Sequence, residues 1–189
     1  YFQVKVTSGP SQTGTLISDW TTVASGVNAA AYASAWSLPA AVWNAIDSGT
    51  TGYVSVRVFD NVGNSSTSVN DLFYVLKDTV PAVITDSQSG DDVWRNGNPG
   101  SIYNVAFADA GGSKLDSIQY TAWTGAGQTG AQKIDWTFVS SGPANLSSYP
   151  GPWGISASSW PALAEGLNYI SVRAWDVAGT TTALNDVFY

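Results

Sequence analysis

"YVSVRVFDNVG" (Tyr53–Gly63) and "YISVRAWDVAG" (Tyr169–Gly179) are nearly the same eleven residues written twice, from position 53 and again from position 169. The likeness runs outward on both sides. "QTGTLISDWTTVASG" from Gln12 returns as "QTGAQKIDWTFVSSG" from Gln128, and "YASAWSLPAAVW" from Tyr32 as "YPGPWGISASSW" from Tyr149. "VNDLFY" ending at Tyr74 returns as "LNDVFY" ending at Tyr189. Residues 1–74 are thus rewritten across 117–189. A period this long means tandem domains, because solenoid units span only ~20–50 residues. The sequence therefore predicts two modules, 1–77 and 78–189. Residues 78–115 have no counterpart ahead of Tyr1, so the first module is expected to lack its first two strands and to need a neighbouring segment to complete it.

Within each copy the apolar residues alternate. Ile170, Val172 and Ala174 face one way, and Tyr169, Ser171, Arg173 and Trp175 the other; Ile118, Tyr120 and Ala122 alternate with Gln119, Thr121 and Trp123. Alternation bounded by Gly, Asn, Ser and Pro clusters predicts half-buried antiparallel strands. For the second copy these fall near 80–86, 101–108, 115–123, 132–139, 153–156, 168–176 and 182–189. Short helical turns are expected only at 40–46 and 156–164. Seven short strands in one module predict a β-sandwich.

"GLNYISVRAWDVAG" resembles the penultimate strand and hairpin of bacterial immunoglobulin-like (Big-type) repeats, which carry G-x-N-x-I-x-V-x-A-x-D-x-A-G. Gly166, Asn168, Ile170, Val172, Ala174, Asp176, Ala178 and Gly179 match that pattern. The first copy keeps Val54, Val56, Val58, Asp60, Gly63 and Asn64 and lacks the leading Asn. The resemblance implies an all-β fold of tandem immunoglobulin-like antiparallel sandwiches, the first incomplete. It says little of function, because this fold hosts many roles.

Composition narrows the chemistry. The chain has 189 residues and a net charge of -7, with seven basic side chains, no His and no Cys. Losing His and Cys removes most nucleophile–base pairs and transition-metal sites. Asp91 and Asp92 are adjacent, but neighbours on an extended chain point to opposite sides and do not converge on one bond. We therefore read the chain as not an enzyme. Scattered Lys and Arg in an acidic chain argue against nucleic acid, and no apolar run approaches the ~20 residues of a membrane helix. Thirteen of the fourteen acidic residues are Asp, which suits turns and strand ends. Sparse Lys and Glu with no Cys point to the cell exterior.

Two kinds of candidate site remain. Calcium needs only hard oxygen ligands; Asp60, Asn64 and Asp176 at the hairpin mouths, and Asp78 and Asp86 near the module junction, could supply them. No cofactor is otherwise expected. The paired tryptophans Trp20/Trp136, Trp36/Trp153 and Trp43/Trp160 are expected in the core, since large aromatics shared by two copies most simply serve packing. Trp123, whose counterpart is Thr7, and Trp175, whose counterpart is Phe59, share polar faces with Arg173. Trp123, Arg173 and Trp175, with Phe59 in the first copy, are the candidate aromatic interface. Its partners would be neighbouring copies, further repeats of a longer chain, or a sugar ring stacked on indole. Two sequons, Asn64-Ser65-Ser66 and Asn145-Leu146-Ser147, would permit glycans.

The expected role is a structural module of an extracellular surface or filament-forming protein, acting as spacer and subunit-docking unit. An adhesin or carbohydrate-binding module is the alternative, and an accessory domain of a secreted hydrolase a third.

Overall fold

A computed structural model describes residues 1–88, 93–139 and 145–189. Asp91 and Asp92 lie outside the described residues. The chain divides into two compact units, Tyr1–Asp78 and Thr79–Tyr189. Both are built from antiparallel sheets with little helix, and the class is all-β.

The first unit is one sheet with a short cover. Strands β1 (Phe2–Gly9), β2 (Thr13–Ala24), β3 (Thr51–Val58) and β4 (Val69–Leu76) lie in the order β2-β1-β3-β4, and α1 (Ala40–Ala45) sits in the β2–β3 connection. Ser11 and Gln12 carry φ of 54° and 59°. Two successive left-handed residues make the turn whose twist matches the flanking strands, so β1 and β2 close tightly. Val4 and Val6 on β1 pair with Val56 and Val54 on β3. They bury on one face against Val42 and Ile46 from the α1 region. Pro39 precedes α1 with no side-chain cap, and the helix stops after six residues. Burial of Val42, not intrinsic propensity, holds so short a helix.

The second unit repeats that sheet and adds another. Strands β7 (Leu115–Gly125), β8 (Thr129–Phe138), β10 (Tyr169–Asp176) and β11 (Thr181–Phe188) lie in the order β11-β10-β7-β8. This is the order of the first unit with corresponding strands in corresponding places. Strands β5 (Val83–Asp86), β6 (Val105–Ala108) and β9 (Ser148–Tyr149) form a second sheet, ordered β5-β6-β9. Ile118, Tyr120 and Ala122 from β7, and Ile170, Val172 and Ala174 from β10, share one buried core with Val105 and Phe107 from β6. Tyr103 stacks on Phe188 with ring centroids 3.6 Å apart. Each Ile, Val or Phe side chain of this core removed from water contributes ~1.5–3 kcal/mol.

The strand expected at 153–156 is absent. Only Trp153 bridges, to Tyr103, and the strand lies earlier, at Ser148–Tyr149. Pro150 and Pro152 bring no N–H to a ladder, so pairing is broken between the two contacts. Pro81 shortens β5 in the same way, to Val83–Asp86 instead of 80–86. The expected helical turns appear as α1 and as a single 3-10 turn at Trp160–Ala162.

Candidate functional site

Each unit carries the same aromatic device on the outer face of its four-stranded sheet. The Arg173 guanidinium lies 4.0 Å from the Trp136 ring centre and 4.3 Å from that of Trp175. Its Nε and Nη2 both donate to Gln119 Oε1, at 2.9 and 2.7 Å. In the first unit Arg57 lies 4.3 Å from Trp20 and 5.0 Å from Phe59. Arg57 Nε and Nη2 donate to Gln3 Oε1 at the same 2.9 and 2.7 Å. Phe59 in turn stacks on Tyr1, centroids 4.5 Å apart. Burial pulls the Arg173 pKa down, and the negative charge of Asp135 pushes back. A planar cation fits between rings with its edge hydrogen-bonded, so each arginine is satisfied within its own sheet.

This corrects two expectations. Trp20 and Trp136 are not core residues; they are half-buried on the outer face. A bulge puts them there. Between Tyr120↔Thr137 and Ala122↔Ile134 the register slips by one residue, as it does between Val4↔Thr21 and Val6↔Ser18. A one-residue slip turns the following side chain to the opposite face. Asp135 Oδ1 accepts the Trp136 N–H at 2.7 Å, and Asp19 Oδ1 the Trp20 N–H at 2.8 Å, satisfying the donor at the bulge. Secondly, Arg173 and Trp175 come together with Trp136 and not with Trp123. Trp123 pairs with Tyr169 in the ladder, whereas Arg173 pairs with Gln119. The Trp123 Nε1–H is buried without a partner among the described residues.

The carboxylates at the hairpin mouths are occupied by the chain itself. Asp60 Oδ1 accepts from the Val62 and Asn64 backbones at 3.0 and 2.8 Å, and Oδ2 from Asn64 Nδ2 at 2.7 Å. The Asn64 side chain foremost, then its backbone N–H, hold the Asp60 pKa below 3.8. Asp176 is buried; Oδ1 accepts the Thr180 N–H at 2.8 Å and Oδ2 its hydroxyl. Asp78 Oδ1 accepts from Ser48 Oγ at 3.2 Å and Asp86 Oδ1 from the Gln88 N–H at 2.8 Å. Sequence reasoning missed Asp109, which is buried with a carboxylate oxygen within 4.8 Å of one of Asp176. Its oxygens accept from the Gly111 and Lys114 backbones at 3.0 and 2.7 Å.

Asp71 and Asp186 form a second shared device. Each sits in the left-handed region, φ 51° and 54°, where the last strand of its unit shifts register against β3 or β10. Asp71 Oδ2 accepts from the Ser11 N–H and Asp186 Oδ2 from the Gly127 N–H, both at 2.6 Å. The first hairpin of each four-stranded sheet is thereby tied to its last strand.

The inner faces differ. In the second unit Trp153 is 2% exposed and Val187 4%; their counterparts Trp36 and Leu72 are half-buried and 53% exposed. Trp36, Leu38, Trp43, Leu72, Phe73 and Val75 line an apolar groove of about 690 Å³ in the first unit. The backbone along its rim is also open. Ser148 and Tyr149 pair with Ala108 and Phe107, and Trp153 exchanges two hydrogen bonds with Tyr103 at 2.9 and 3.0 Å. The counterparts Ala31, Tyr32 and Trp36 form no strand. No described residue hydrogen-bonds to their backbones. The second unit has its own cleft, about 1160 Å³, lined by Trp94, Arg95, Trp160, Glu165 and Asn168 among others.

Comparison with family models, with curated proteins and with solved structures finds no match to the chain. Among the described residues no helix is long and apolar enough to cross a membrane.

Proposed function

We propose that the chain is a structural, subunit-docking part of an extracellular surface or filament-forming protein, made of immunoglobulin-like modules of which the first is incomplete. One observation carries this reading. The four-stranded sheet of the second unit is covered by a second sheet, whereas the matching sheet of the first unit leaves Leu72 53% exposed in its groove, beside Trp43 of α1 at 41%. An apolar face lined by large side chains, with an unpaired backbone rim, marks a contact surface. The outer aromatic rows favour this role over sugar binding, because Arg173 and Arg57 already occupy ring faces that a sugar would need. The absence of His and Cys, the sparse charge and the Asp-rich turns fit a passive exterior module better than an enzyme.

Electron micrographs and sedimentation of the native material test the reading. Filaments or ordered arrays are expected. Monomers that stay dispersed up to high concentration, with no array on the source surface, overturn it.

A further inference from the structure

We propose that the first unit is completed by strand addition along residues 31–36, the occupant being an extended peptide segment with an aromatic-x-aliphatic-x-aromatic pattern. The second unit shows the register. There Tyr103 lies opposite Trp153 and Phe107 opposite Tyr149, both antiparallel. The counterparts of Trp153 and Tyr149 are Trp36 and Tyr32. The incoming strand therefore sets one aromatic opposite Trp36 and another, four residues on, opposite Tyr32, with an aliphatic residue between them aimed at the sheet.

Two features of the first unit meet in this strand. Its backbone partners are the N–H and C=O groups of Ala31 to Trp36, which no described residue engages. An added strand takes affinity from such main-chain bonds and specificity from the pockets under alternate side chains. The pocket is in place: Tyr103 stacks on Phe188 and lies 5.9 Å from Trp153, while Phe73 and Trp36 stand 5.6 Å apart and line the groove. A ring entering opposite Trp36 meets the same two surfaces that hold Tyr103. Chemistry also selects the occupant. The groove walls offer no charged side chain, so a charged residue at an inward position of the strand would be buried unpaired.

The inference rests on the docking reading above only for the existence of a natural partner. The full chain is titrated with a synthetic peptide of residues 99–109, "PGSIYNVAFAD". Binding is followed by tryptophan fluorescence, and amide hydrogen exchange locates it. Saturable binding is expected, with new protection at Tyr32 to Trp36. The same peptide carrying Tyr103→Asp and Phe107→Asp should bind at least about tenfold more weakly. Leu72→Asp in the protein should weaken the parent peptide to a similar degree while leaving exchange at Val4 and Val54 unchanged. No binding, or binding without protection of 31–36, overturns the proposal. So does protection of 31–36 in peptide-free protein that sediments as a dimer, because a second copy would then fill the groove. Filaments found with 31–36 unprotected would defeat this inference and spare the docking reading; peptide capture by a protein that never assembles would do the reverse.

Discussion

The two units share a sheet and differ in what lies over it. Val187 and Leu72 occupy matching places in the last strand, yet one is 4% and the other 53% exposed. Ala174 and Val58 match on the central strand, and they are 0% and 52% exposed. The outer faces show no such contrast: both hold an arginine between two aromatics with its fork on a glutamine. The lesson is that strand order and outer-face chemistry are fixed within a four-stranded sheet, whereas full burial of its inner face depends on a second layer: Val4, Val6 and Val54 are covered in the first unit, and Val58 and Leu72 are not. A sheet lacking that layer keeps its geometry and loses much of its hydrophobic stabilisation.

The sharpest way to break this comparison is to separate the units. Residues 79–189 alone should unfold cooperatively on heating, while residues 1–78 alone should aggregate or melt without a cooperative transition; calorimetry and light scattering distinguish the two. A cooperative, soluble 1–78 fragment would mean that α1 and its flanks cover the sheet well enough. Next in size is a matched pair of substitutions. Val187→Asp buries an unpaired charge and should destabilise the second unit by roughly 4 kcal/mol, whereas Leu72→Asp should shift the first by at most ~0.5 kcal/mol. Urea unfolding followed by unit-resolved hydrogen exchange reads both.

The outer faces should give the opposite result, equality. Arg57→Lys and Arg173→Lys each lose the bidentate bond to glutamine and part of the ring stacking. Each should cost its own unit ~1 kcal/mol, the two values agreeing within ~0.5 kcal/mol. A large difference would show that the two faces are not the same device. The smallest effect concerns Asp60. Its folded pKa lies below the unfolded value of 3.8, so its contribution is complete above that pH and is lost as acid protonates the folded carboxyl. Asp60→Asn should lower the first unit's stability slightly at neutral pH and flatten its loss below about pH 4; acid titration followed by circular dichroism checks it.

Much of the sheet was legible. The alternation of Ile118, Tyr120 and Ala122, and of Ile170, Val172 and Ala174, identified two central strands whose apolar faces are all buried. Period two works there because both strands run without interruption through the core. It fails where the period breaks. Trp136 is two residues from buried Ile134 and should share its face, but the intervening bulge turns it outward to Arg173. The local sign of that bulge is Asp-Trp in both copies, with Asp accepting the next N–H, and alternation counting does not register it. Trp123 shares a face with Trp175, but the pairing register, set by long-range partners, places it beside Tyr169. Asp109 carried no motif, since its approach to Asp176 depends on how β6 and β10 are brought together. The open groove was legible only indirectly, through what the second copy possesses and the first lacks.

The arginine sandwiches have a consequence for the medium these sheets can tolerate. Most surface cations are held by carboxylates, and dissolved ions weaken such pairs within a Debye length of ~10 Å at 0.1 M salt. Arg57 is held instead by ring quadrupoles and an amide oxygen, neither of which carries a net charge for counterions to compete over. Its grip should survive brine that would loosen an ordinary ion pair. Arg173, with Asp135 nearby, should be slightly more sensitive. A face built in this way keeps its shape whether the surrounding water is fresh or concentrated.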